Sequence, residues 1–308
     1  MTPTDYYALL TNKGLIQLSG EEKQKYLQGQ ITADVAQLND DNALLACHCD
    51  FKGKTWSVSY LMSWQDSLLL LTHSSVLEKS LAELKKYGVF AKVSIADVSP
   101  GWQISAGFGH AIEAEITHVF GKLPEQHMHL VKHTNGIVLA INTNIPRYLI
   151  LQPQDAAQKI SVDASKSSDD YWEIEDIKAG IAEVQAPTCN EFVPQMMNLQ
   201  QLDAISFTKG CYMGQEVVAR TKYLGKNKRA AFRLFSDTPQ TVAVGDNLEY
   251  QIGENWRPAG TILRVGNSHN QCWLLAVLAS DTEIGTIMRV KQHPQASFTV
   301  LPQPYELT

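Results

Sequence analysis

Short turns between apolar runs decide which folds are open to this chain. Leu44 to Phe51 passes through Lys52-Gly53-Lys54 into Trp56 to Met62, and Trp64-Gln65-Asp66-Ser67 turns the chain again into Leu68 to Thr72. Parallel strands need a crossover of about a dozen residues or more, and these connections have no room for one, so the pairing is antiparallel. Gly14 to Leu18 reads as an earlier strand, Ala91 to Val98 and Gln103 to Ala106 as later ones, and His110 to Phe120 as a helix. Ser19-Gly20-Glu21-Glu22 and Ser75-Val76-Leu77-Glu78 read as capping boxes that open helices, the second with Leu77, Leu81 and Leu84 on one face. His127 to Lys132 and Ile137 to Ile141 form a hairpin about Asn135-Gly136. The expected class is α+β, mostly antiparallel sheets with flanking helices. Gly107-Phe108-Gly109 lacks the third glycine and the βαβ setting of a dinucleotide site.

After Lys228 the character changes to short β runs without a long helix, which reads as a separate C-terminal β-barrel or jelly-roll-like domain. The expected division is 1–227 and 228–308. The first part holds two interleaved subdomains, roughly 1–48 with 99–165 and 49–98 with 166–227, and Ser165 to Asp170 is a polar linker.

The 308 residues are 44% hydrophobic and 19% charged, enough for a sizeable core and unlike a disordered chain. A net charge of −6 argues against a general nucleic-acid coat. No basic region followed by an apolar core opens the sequence, and five cysteines stand without zinc-ribbon spacing. A soluble protein of the reducing cytoplasm, with no membrane partner, is expected.

Chemistry concentrates at Thr208 to Thr221. A strand-like run, Leu202 to Thr208, leads into Lys209-Gly210-Cys211-Tyr212, then Gly214, then a helix-capable segment Gln215 to Arg220. Two glycines permit positive φ or close backbone approach. A cysteine just ahead of a helix N-terminus is favoured as thiolate, which makes Cys211 the candidate reactive thiol. It could be a nucleophile, a redox sensor or a transient iron ligand. Cys47-His48-Cys49-Asp50 is no metal clasp, because a strand sends Cys47 and Cys49 to one face and His48 and Asp50 to the other. Arg220, Lys222, Lys226, Lys228 and Arg229, with Tyr223 among them, make a basic loop suited to an anion, either the carboxylates of a small-molecule tail or RNA phosphates. Trp172 could stack on a flat heterocycle or belong to the core.

Lys209-Gly210-Cys211-Tyr212-x-Gly214-Gln215-Glu216, followed by Val217-Val218-Ala219-Arg220, resembles the signature of the bacterial YgfZ proteins, folate-binding relatives of the glycine-cleavage aminomethyltransferase (T-protein). Tyr26 to Val35, the His48 to Lys54 hairpin, and Glu191-Phe192-x-Pro194-Gln195 with Asn198-Leu199 resemble blocks of the same family. The resemblance implies a central folate cavity, with tetrahydrofolate or a derivative as cofactor, Trp172 against the pterin, and a folate's glutamate as the small-molecule tail that would suit the basic loop. A second tryptophan found in some relatives is missing, and Lys13 stands about where it would fall. The aspartate of true aminomethyltransferases is replaced by Ser57 or Val58, neither able to do a carboxylate's proton work. What the family implies is an accessory role for iron–sulfur enzymes or their assembly machinery, including those that methylthiolate tRNA, with a link to control of replication initiation. An active one-carbon transferase or demethylase and a tRNA-binding module, meeting tRNA through Arg220 to Arg229, are the alternatives.

Overall fold

A computed structural model describes residues 4–162, 170–223, 225 and 227–306. In chain order it begins β1 (Tyr6–Leu9), β2 (Lys13–Ser19), α1 (Lys23–Gln28), β3 (Leu44–Cys49), β4 (Thr55–Trp64), β5 (Ser67–His73), α2 (Ser74–Gly88) and β6 (Ser94–Asp97). Next come β7 (Trp102–Phe108), α3 (His110–Phe120), β8 (Leu130–His133), β9 (Gly136–Ala140), β10 (Tyr148–Pro153), α4 (Asp170–Lys178) and α5 (Gln215–Tyr223). The chain finishes with β11 (Arg229–Ser236), β12 (Asn247–Ile252), β13 (Asn255–Ser268), β14 (Gln271–Ala279), β15 (Ile287–Val290) and β16 (Ser297–Leu301).

These strands make two five-stranded sheets, ordered β1-β7-β10-β9-β8 and β3-β4-β5-β2-β6, and a closed six-stranded barrel ordered β11-β14-β13-β12-β15-β16. The α+β class with antiparallel pairing is as expected, and the C-terminal part is a barrel, not a jelly roll. Strand alternation builds the layers. Leu69 and Leu71 of β5 join Leu15, Met62, Leu149 and Trp172 in a core shared by the two sheets. Leu68 and Leu70 point the other way, against Leu77 and Leu84 of α2. The apolar run Leu68 to Leu71 is thus buried on both faces. On the far side, α3 covers the other sheet through Ile112 and Ile116.

Several expectations need correction. Lys13–Ser19 and Leu44–Cys49 were grouped with 99–165, but β2 pairs with β5 and β6, and β3 with β4, so both belong to the sheet of residues 55–97. Only β1, before residue 13, joins the sheet of 102–153. Ser19 caps nothing: α1 starts after Glu22, whose carboxylate accepts the backbone N–H of Lys92 at 2.9 Å. Nor does Ser75 open α2, since His73 is the N-cap and its ring nitrogen accepts the N–H of Ser75. Leu202 to Thr208 is not a strand. Leu199–Leu202 is a 3-10 turn, Asp203 takes a left-handed conformation at φ 53°, and the N–H of Ser206 goes to the carbonyl of Thr32. The linker from Ser165 lies outside the described residues apart from Asp170.

The barrel is bound to the rest through polar as well as apolar contacts. Asn198 exchanges hydrogen bonds with the backbone of Ala231 on β11, and Arg264 of β13 reaches α4. Ile177, Phe192 and Met197 pack with Ala231, Leu263, Leu275 and Val277.

Candidate functional site

Stretches far apart in sequence converge on the loop that carries Cys211. Lys209 is buried, and its ammonium donates to the carbonyls of Ile31 and Ala33 at 2.8 and 2.7 Å. The N–H of Met213 goes to the carbonyl of Gly29. Gly214, at φ 81°, lies against the 50–54 hairpin so closely that a Cβ there would stand 2.5 Å from the carbonyl oxygen of Asp50. Any side chain at 214 would therefore meet both backbone strain and a clash. Gln195 donates to the carbonyl of Val218 in α5 at 2.6 Å, and the N–H of Thr55 goes to the carbonyl of Phe192. Burial lowers the Lys209 ammonium to about 8, with the charge of Asp34 opposing the drop. Tyr212 is buried beneath it, ring to ammonium 4.9 Å, and burial raises its phenol. Cys211 itself is exposed, separated by Tyr212–Gly214 from the first helical residue, Gln215. The helix starts at Gln215 as the sequence suggested, with Cys211 ahead of it.

The second candidate lies where both sheets, α4 and the barrel meet. Lys13, Val58, Tyr60, Trp172, Asp176, Glu183 and Arg264 line a cavity with about 20 Å³ of free space, room for about one water. Arg147, fully buried, lays its guanidinium on the Trp172 ring at 4.5 Å and donates to Asp176 at 2.8 Å. Arg264 donates to Glu173 at 2.6 and 2.9 Å, to Asp176 at 2.8 Å and to the carbonyl of Ile181. Lys13 pairs with Glu183. Buried charges persist only when paired and hydrogen-bonded in this way. Burial raises the Glu173 carboxyl against the pull of Arg264. Burial acts the same way on Glu183, but Lys13 and Arg264 outweigh it and hold that carboxyl below its usual range. Two atoms stay unpartnered, Glu183 Oε2 and Arg147 Nε.

A family model described as the YgfZ β-barrel domain matches residues 227–293, the part that forms most of the closed barrel. The chain is 38% identical over 304 residues to the tRNA-modifying protein YgfZ of Yersinia enterocolitica, covering 97% of this chain and 92% of that protein. It is 39% identical over 308 residues to the protein of the same name from Colwellia psychrerythraea, covering 99% and 94%. The chain belongs to the YgfZ family. Its fold is that of the glycine cleavage system aminomethyltransferase T from Bartonella henselae, with a TM-score of 0.69 at 13% identity over 99% of this chain and 87% of that one.

In this YgfZ chain the sequence motifs and the cavity are adjacent but separate. Lys13 and Trp172, far apart in sequence, line the same cavity. Of Ser57 and Val58, only Val58 faces it, while Ser57 turns outward to Ser80 of α2 at 3.1 Å, beside His48. Burial holds His48 neutral, lowering its ring to about 3. Gly210, Glu216 and Arg220 lie at the surface, with Gln215 half-buried. Sequence reasoning missed Arg147, Arg264, Glu173, Asp176 and Glu183. Their signal was a charge inside an apolar run, as in Ile262-Leu263-Arg264-Val265.

Proposed function

We propose that this chain binds a folate, tetrahydrofolate or a close derivative, in the cavity between its sheets. It would serve tRNA modification as an accessory to iron–sulfur enzymes, without turning over an aminomethyl substrate. One observation carries the reading: a buried tryptophan face ringed by carboxylates where the two sheets and the barrel meet. The name of the Yersinia and Colwellia relatives, tRNA-modifying protein, supports the tRNA-modification part. The absence of enzymatic turnover rests on Val58, an apolar residue on the cavity wall, and on the Arg or Lys partners of Glu173, Asp176 and Glu183.

The residues suit a pterin once the space is enlarged. Arg147 is a flat cation that stacks on Trp172 and donates N–H groups to Asp176. A pterin offers the same two features, an aromatic face and an amino edge, so it can replace Arg147 on both partners. The unpartnered Glu183 Oε2 provides a further acceptor. Binding therefore requires Arg147 to leave the indole.

Calorimetric titration of tetrahydrofolate tests this. Wild type should bind saturably, Trp172→Ala at least about 10-fold more weakly (~1.4 kcal/mol), and Arg147→Ala no more weakly than wild type. Absence of saturable heat with wild-type protein would overturn the folate reading. A second reading, contact with RNA through the basic segment after α5, is favoured by the groove beside that segment.

A further inference from the structure

An open groove of about 770 Å³ runs between the Leu199–Phe207 segment and the end of α5. Its size falls within the ~300–1,000 Å³ usual for binding sites. Gln195, Gln200, Asp203, Phe207, Lys222 and Asn227 are among the residues of its wall. Exposed, unpaired cations cluster here. Arg220, Lys222, Lys228 and Arg229 are exposed, and among the described residues none of them makes an ion pair. Arg147, Arg264 and Arg289 all do. Four unpaired cations within ten residues stand out in a chain of net charge −6. Lys228 is placed at the groove's rim because its carbonyl takes the N–H of Ser280, another wall residue.

Aromatic rings accompany the charge. Phe207 and Tyr223 meet edge to face at 6.4 Å, Tyr223 is 64% exposed, and the Lys222 ammonium hangs 3.7 Å from the Phe207 centroid. The wall also contains unmet hydrogen-bonding capacity. Gln195 is 4% exposed and its Oε1 has no partner, and Gln200 Oε1 is likewise buried and unpartnered. The terminal amide torsion of glutamine is soft, so a ligand's N–H donor can draw the Gln200 oxygen around, while the Gln195 amide is held by the carbonyl of Val218.

We infer that this groove binds an unpaired stretch of RNA, with bases stacked on Phe207 and Tyr223 and phosphates held by Lys222, Lys228 and the neighbouring arginines. The site deepens the tRNA-modification reading, since it would bring the chain into direct contact with its RNA. An exposed ring and a half-buried one beside free cations suit single strands, whose bases are available to stack, while a paired duplex hides them. An acidic peptide would satisfy the charges but has no use for the exposed Tyr223 ring and the half-buried Phe207 beside it. Asp203, the one carboxylate of the wall among the described residues, stands in a left-handed turn and would disfavour phosphate at that end.

The test is fluorescence anisotropy with a labelled ten-nucleotide single-stranded RNA of mixed sequence. Wild-type protein should bind it in preference to a paired duplex of the same length, and more weakly as salt rises. Phe207→Ala should weaken binding about 10-fold, and Tyr223→Ala severalfold. Lys222→Gln should weaken it and flatten the salt dependence by about one charge. Tyr223 is largely exposed, so its variant remains informative should Phe207→Ala fail to fold. No binding at low salt, equal binding of the duplex, or affinity unchanged in both aromatic variants would overturn the inference. Competition by poly-glutamate as strong as that by unlabelled RNA would overturn it too, in favour of an acidic protein partner. Tetrahydrofolate titration of Tyr223→Ala should match wild type. Loss of RNA binding with folate binding intact, or the reverse, separates this site from the cavity.

Discussion

Two of the cations that lie on aromatic faces in this molecule, Arg147 on Trp172 and Lys222 on Phe207, are held in opposite ways. Arg147 has no exposed surface, donates to Asp176, and belongs to a cluster in which Arg264 and Lys13 answer Glu173, Asp176 and Glu183. Lys222 is exposed beside a groove and has no carboxylate partner among the described residues. The same contact is worth more when desolvated, ~2 kcal/mol or more against ~0.5–1 at the surface. The difference separates two kinds of readiness. In the cavity a ligand must displace a contact already made. At the groove the charges and the exposed Tyr223 ring are already available to whatever arrives, and only the Phe207 face under Lys222 has to be uncovered.

The sharpest way to break this contrast is Arg264→Leu. It would leave Glu173 and Asp176 buried without their main partner, and should cost about 3–5 kcal/mol in urea denaturation. A loss below ~1 kcal/mol would mean that the cluster is wet and that the cavity is no more committed than the groove. A middle case is Lys209, buried yet bound to neutral carbonyls. Burial brings its folded value to about 8 from 10.5 in the unfolded chain. Between those values the unfolded chain holds more protons, so stability rises with pH across this window; below pH 8 both states are protonated and the contribution is flat. Lys209→Met should lack that rise, read as the difference in urea midpoints between pH 8 and 10.5. Parallel pH curves for the two proteins would show that the ammonium is hydrated. Smallest in stability is Cys211→Ala, within about 0.5 kcal/mol because the thiol is exposed. Cells carrying only that variant should nonetheless fail to methylthiolate tRNA, and normal modification would remove Cys211 from the function.

Hairpin-length turns made the antiparallel pairing legible, and alternation along Cys47-His48-Cys49 correctly set the two cysteines apart from the histidine, which meets Ser80 and Trp56 on the other face. The same signals could not say which sheet a hairpin joins. That choice depends on partners tens of residues away, as when β2 takes β5 and β6. Both capping boxes failed for the same reason. Glu22 and the ring of His73 found their partners in the folded state, through Lys92 and a cap two residues earlier than the motif implied. At the candidate site, the motif residues were visible as a string, but the cavity's ion cluster was not. A buried arginine looks like a surface arginine until its carboxylates, here 88 and 91 positions removed at Asp176 and Glu173, are seen beside it. Lys222 could be read as part of a basic loop, whereas the groove it borders needed the turn at Leu199–Leu202 in place of the expected strand.

The bonds from Lys209 to the carbonyls of Ile31 and Ala33 also bear on biosynthesis. They close a loop of 178 and 176 residues, so the turn bearing Cys211 can set only after the ribosome has delivered about two thirds of the chain and its beginning has waited for it. Contacts of such range are slow to form, and they close against the entropy of the intervening chain. The thiol is therefore presented in its native setting late, and only by molecules whose first strands are already in place. A fragment lacking residues 31–33 would carry the cysteine without the carbonyls that anchor Lys209 beside it, so the native setting of Cys211 depends on both ends of that loop.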